Sequence, residues 1–248
     1  MFELSSDTRV AEIQAESPAM LAALTSTGIY NAGDDAEVTI GNLCWNVGLN
    51  PLIILNMLAD ARQLDVPETV DISDLDGLSL VEVVSNIETR HHAYLRKVLP
   101  EISELLPRVV SAHGANDERL QDVATLFTKM AGDLEGHLLH EEESLFSMIR
   151  DLADDGVVTP TRCGETVAGP ILCMENDHND MRRELAQLRE LTSNYAAPDY
   201  ACPTYRRMLE LLTEFDDNTV IHMHKEDTVL FPGAKKAQAQ LRESAGQH

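Results

Sequence analysis

From residue 78 onward, apolar side chains recur every three or four positions over runs long enough for many helical turns. The first run, about 78–112, places Val84, Ile87, Tyr94, Leu95 and Val98 on one face. A second covers about 118–153 and a third about 167–194, while the last starts near Pro203 and reaches about Asp227. Gly156, Pro160 and Gly164 punctuate the loop at 154–164, and Ala197-Pro198 and Pro203 punctuate the next. Short connections between helices of similar length predict antiparallel neighbours. The expected fold is therefore all-α, an up-down-up-down four-helix bundle spanning 78–234. The polar stretch 235–248 is expected to fray.

The first 70 residues show shorter periods with clear stops. Ser17-Pro18 is a cap followed by proline at the first helical position, and Gly28 ends that helix. Thr39 caps a second helix that stops at Gly48, and Asn50-Pro51 opens a third that runs to about Gln63. A small three-helix domain over 1–70 is expected. The acidic, Pro- and Gly-containing stretch 65–77 links it to the bundle.

Composition narrows the function classes. Nineteen Lys+Arg against 42 Asp+Glu leave a formal charge of −23, which repels phosphate backbones and anionic lipid. Nucleic acid and membrane surfaces are therefore excluded as expected partners. Aromatics are only 4% of the chain, so the helices must pack through Leu, Val, Ile and Met. The N-terminus has no basic and then apolar leader, the longest apolar stretch is too short to span a bilayer, and the four cysteines are scattered. A cytoplasmic location with reduced thiols is the expectation.

The chemistry lies in a pattern that occurs twice. His92 is followed 45 positions later by His137-Leu-Leu-His-Glu141, and His178 is followed 44 positions later by His222-Met-His-Lys-Glu226. Each His-x-x-x-Glu is trailed by the same apolar pair, Leu145-Phe146 and Leu230-Phe231. A His and a Glu four apart project from one helix face. Folding each hairpin antiparallel brings its histidines to one level, as in an internal duplication. Four imidazoles and two carboxylates suit a pair of iron ions bridged by the glutamates. One His-x-x-x-Glu alone is more often a surface pair worth a few tenths of a kcal/mol. Two copies with matched partner histidines and a shared apolar tail outweigh that reading.

The remaining histidines sort less cleanly. His113 lies 21 residues past His92, roughly 30 Å along a helix, so it belongs at the hairpin tip. His140 and His224 fall off the ligand positions. By periodicity His91 lies nearer the centre of the apolar face than His92, so the count of angles prefers His91.

The run Arg90-His91-His92-Ala-Tyr-Leu-Arg-Lys-Val-Leu-Pro100, the later Ser-Ala-His113-Gly, both His-x-x-x-Glu segments and Gly169-Pro170 through His178 carry a family resemblance. Over about 81–232 the chain resembles the hemerythrin-like iron–sulfur cluster repair di-iron proteins. That resemblance implies His92, not His91, as ligand. The first domain resembles the small domain that precedes the bundle in this family. The family's Cys-Cys-Gly-Gly signature after Gly28-Ile29 is replaced here by Tyr30-Asn-Ala-Gly-Asp-Asp35. Thiol chemistry at that place is lost. Cys44 is a lone thiol on an apolar helix, expected in the core.

Together these imply a non-haem di-iron protein with two iron ions joined by an oxo or hydroxo group. Its ligands would be His92, His137, Glu141, His178, His222 and Glu226, and it would act in oxidative or nitrosative stress. Damaged iron–sulfur proteins, O2, NO or peroxide and a second copy of the chain are the implied partners. The rival is a hemerythrin-like protein that binds or senses O2, NO or iron without turnover.

Overall fold

Ser79 starts the bundle with a reciprocal cap. Its hydroxyl accepts from the Glu82 amide while the Glu82 carboxylate accepts from the Ser79 amide at 2.8 Å, which satisfies two of the orphan donors of a helix start. From there helix runs on as α5 (Leu80–Ile87), a π-helical segment Glu88–His92, and α6 (Ala93–His113). The second arm is α7 (Arg119–His140), a π segment Glu141–Leu145, and α8 (Phe146–Asp154). The third is α9 (Ala168–Leu191). The fourth is α10 (Pro203–Lys225), a π segment Glu226–Leu230, and α11 (Phe231–Ala245).

The computed structural model describes residues 4–31, 33–63, 70–154 and 166–245. Most of the 154–164 loop, the first part of the 65–77 linker, Ala32, Cys163 and His248 lie outside them. The chain divides into two units, 1–67 and 68–248. In the second, α6 packs on α7 and α10, and α9 packs on the same two, closing a ring of four antiparallel arms. Two apolar clusters fill it. One joins Leu95, Ile102, Phe127, Met130, Leu185, Met208 and Phe215. The other joins Val84, Ile87, Phe146, Ile149, Ile171 and Phe231. Between them in sequence on the four arms lie His92, Glu141, His178 and Glu226, so the polar layer is sealed from both ends.

Phe127 and Phe215 meet edge to face at 5.5 Å with no exposure. Phe215→Ala is expected to cost about 3–5 kcal/mol through lost burial and an unfilled cavity, read from the urea midpoint at unchanged m.

Over the described residues 235–245 the expected frayed tail is corrected by the structure. The helix does not end near Asp227 but continues to Ala245, through Pro232. The π turn just before the proline widens the backbone where an α-helical carbonyl would meet the ring. Ala234 is fully buried, Gln238 accepts from the Val167 amide at 3.2 Å, and Lys235 pairs with Glu175 at 2.8 Å, so this segment is pinned to the bundle.

The unit 1–67 holds α1 (Val10–Glu16), α2 (Pro18–Ser26), α3 (Ile40–Val47) and α4 (Pro51–Gln63). The three helices read from caps and stops are thus joined by a fourth, α1, whose start carries no Ser, Thr, Asp or Asn cap for a sequence reading to catch. Ser17 accepts from the Met20 amide at 3.0 Å and Thr39 from the Asn42 amide at 3.3 Å. Gly48 takes φ 69° to close α3, a left-handed conformation that costs glycine little. Cys44 is fully buried in this unit's core, where burial pushes the thiol pKa up.

Candidate metal centre

The six expected ligands come together in one buried cluster. His92, Glu141, His222 and Glu226 form one group whose donor atoms lie within 4.8 Å of one another, and His137, Glu141, His178 and Glu226 form a second. All six are buried, Glu141 and Glu226 fully. Each glutamate divides its two oxygens between the groups. Glu141 Oε1 faces His137 Nε2 at 3.1 Å and Oε2 faces His92 Nε2 at 3.3 Å. Glu226 Oε1 faces His222 Nε2 at 3.1 Å and Oε2 faces His178 Nε2 at 3.2 Å.

One π segment contains His91 and His92, and two others open at Glu141 and Glu226. An extra residue in a helical turn shifts every later side chain by about 100° around the axis. In Glu88–His92 that shift turns both His91 and His92 inward, at 5% and 0% exposure. The structure places His92 in the cluster and His91 behind it, stacked on His222 at 5.7 Å. The periodicity count assumed one phase from Val84 to Val98, and the π segment interrupts that phase.

Several groups around the cluster were not picked out from the sequence. His92 Nδ1 faces Glu142 Oε1 at 2.7 Å, and Arg96 donates to the other oxygen of Glu142 at 2.7 Å. His178 Nδ1 faces Asp227 Oδ1 at 2.9 Å, and Asp227 pairs with Arg182. His137 Nδ1 faces Asp177 at 3.3 Å. Phe146 stacks on His92 at 5.5 Å and Phe231 on His178 at 5.7 Å. A signal for most of these was present. Each cluster glutamate is followed by an acid (Glu142, Asp227), His92 and His178 each have Arg four residues on, and the trailing phenylalanines are the shared apolar tail. Carboxylates behind ligating imidazoles orient them and raise their basicity.

The donor set fits a metal pair. All four oxygens of Glu141 and Glu226 are buried, and none accepts a hydrogen bond of good geometry. Buried carboxylates without donors are costly, and cations held by the two groups would satisfy them. Without cations, positive charge sits on His137 and His178. Burial lowers the His178 pKa, but Asp227 and Glu226 outweigh it and raise it to about 9. Burial likewise opposes His137, yet Glu141 and Asp177 hold it well above the ordinary value. Burial raises the Glu141 pKa, but His137, His92 and His222 carry it well below the usual carboxylate range.

A cavity of about 380 Å3 reaches His137 and His178 between α7 and α9, lined also by Gly132, Gly136, Asp177 and Met181. A Cβ added at Gly132 or Gly136 would meet nothing within 4 Å, so the space beside these two wall positions is open. His140 is exposed on its wall. His224 is half-buried, with its pKa lowered by burial. His113 ends α6 against Tyr205 at 5.4 Å and Tyr200 at 6.2 Å, outside both four-residue groups. His113→Ala is expected to leave iron content unchanged, measured by elemental analysis of purified protein.

Comparison with known proteins agrees with the duplicated layout. The Hemerythrin HHE cation binding domain matches twice, over residues 83–165 and 170–248. The chain is 30% identical over 165 residues to the iron-sulfur cluster repair protein YtfE of Dickeya chrysanthemi (strain Ech1591), covering 66% of this chain and 70% of that one. It is 29% identical over 188 residues to the YtfE of Yersinia pseudotuberculosis, covering 74% and 80%. It is 30% identical over 159 residues to a probable iron-sulfur cluster repair protein of Haemophilus influenzae, covering 64% and 67%. Among the described residues no helix is long and apolar enough to cross a membrane.

Proposed function

Since the chain belongs to the hemerythrin HHE cation-binding family, we propose that it is a non-haem di-iron protein of the iron–sulfur cluster repair type. The observation that carries this reading is the pair of buried glutamates, each offering one oxygen to either group of imidazoles. His92 and His222 would hold one ion and His137 and His178 the other, with Glu141 and Glu226 shared. Iron in such a site supplies redox equivalents and an open position for a small ligand. The protein's own part is to hold the donors rigidly, to keep bulk water out through the apolar clusters on either side, and to admit small molecules along the Gly132–Gly136 wall. Glu142, Asp177 and Asp227 keep three Nε2 atoms turned inward.

The repair reading has a rival in reversible binding of O2 or NO without turnover, favoured by the absence of the vicinal cysteine pair after Ile29. Cys44 does not replace that pair, because it is fully buried with a raised pKa and a thiolate is the reactive form. The test is reactivation of a damaged iron–sulfur enzyme by the iron-loaded protein. Restoration that persists in Cys44→Ser supports repair run by the metal centre alone. Tight reversible O2 or NO binding with no restoration would move the assignment to a sensor or store.

A further inference from the structure

Three of the four cluster imidazoles are braced from behind by a carboxylate, and the fourth is not. Glu142, Asp177 and Asp227 face Nδ1 of His92, His137 and His178. Nδ1 of His222 is buried with no hydrogen-bond partner. Against that ring lies His91, parallel to within 9° at a centroid distance of 5.7 Å. His91 Nδ1 in turn faces Asn218 Oδ1 at 3.2 Å, one turn before His222 on α10. The brace is anchored to the helix that it supports.

The duplication explains why His91 stands there. Asp177 immediately precedes His178 and braces His137, the histidine of the neighbouring arm. His91 immediately precedes His92 and lies on His222, the corresponding histidine of the other half. His91 therefore occupies, in one half of the pseudo-twofold site, the place that Asp177 occupies in the other. An imidazole without a partner on its far nitrogen is free to swing about Cβ–Cγ. His91 on one face and His92 edge-on at 4.9 Å close that freedom for His222.

We propose that His91 is the positioning residue of His222, bracing it by ring contact where the other three imidazoles are braced by charge. This rests on the reading of the six-residue cluster as a metal centre. It follows that the two halves are not equivalent. His222 lacks the carboxylate that raises a ligand's basicity, so the ion beside it has the less electron-rich donor set.

The experiment uses full-length protein with iron affinity measured by chelator competition, together with the optical spectrum and the thermal midpoint of the metal-free form. His91→Ala should weaken iron affinity by about 10-fold or more, the low end for loss of a supporting group, and change the spectrum. His91→Phe keeps the ring face and should restore affinity to within about threefold of wild type. His91→Asp should retain iron by supplying a carboxylate like that of the other half. Unchanged affinity and spectrum in His91→Ala, with only the metal-free midpoint lowered, would reduce His91 to packing and overturn the proposal. Loss of iron in His91→Phe as complete as in His91→Ala would make His91 a ligand and overturn it too. Should His91→Ala fail to fold, the Phe and Asp variants decide alone. Wild-type protein that retains no iron would instead refute the metal reading itself, and this proposal with it.

Discussion

Glu141→Ala and Glu226→Ala are each expected to empty both halves of the centre. Iron should fall from about two per chain to near zero, because each glutamate belongs to both four-residue groups. A histidine belongs to one group only. His92→Ala, His137→Ala, His178→Ala and His222→Ala should each weaken one half more than the other and leave a partial complement. Elemental analysis after growth in iron-replete medium, read beside the near-ultraviolet spectrum, distinguishes the two classes. Equal loss in all six variants would sink the division into two groups. Stoichiometric zinc in the wild type would sink the iron assignment.

Iron loading should also raise the thermal midpoint of the 68–248 unit by about 10 °C. Saturation near 1,000 times the dissociation constant stabilises by about 4 kcal/mol, and for a unit of this size each kcal/mol moves the midpoint by about 2–4 °C. The gain must depend on pH, with a sign set by the raised imidazoles. In the metal-free protein His178 stays protonated up to about pH 9, against an ordinary value of 6.5. The stability this contributes is fully present below 6.5 and is lost as the pH rises through about 9. A metal must displace that proton, so iron affinity should rise with pH and level off above about 9. The difference between loaded and metal-free midpoints therefore widens from pH 6 to 9. Scanning calorimetry of the two forms across that range checks it, and a gap that narrows with rising pH would contradict the assignment of protons to the cluster.

Much of the site was legible because a helix converts spacing into direction. A His and a Glu four apart share a face, and arms of equal length bring matched faces to one level. His92, His137, Glu141, His178, His222 and Glu226 could be picked out on those grounds, apart from the choice between His91 and His92. Glu142 and Asp227 were visible as letters, but nothing in the chain said which histidine they would face. Each braces the histidine of a different arm, and such pairings exist only once the arms pack.

What the sequence determined by itself was local and periodic: caps at Ser17 and Thr39, amphipathic arms, and a duplicated donor set. What only the tertiary structure decided was phase. The π segments Glu88–His92, Glu141–Leu145 and Glu226–Leu230 add a residue to a turn, at a cost in backbone hydrogen bonding that local propensity never favours. Packing around a layer of buried charge makes that cost worth bearing. The extra residue turns His91 and His92 inward together, re-phases the side chains that follow the two glutamates, and lets the last helix run through Pro232 to Ala245. A 3.6-residue count carries no information about where a turn will be widened, because the cause lies on the other arms of the bundle.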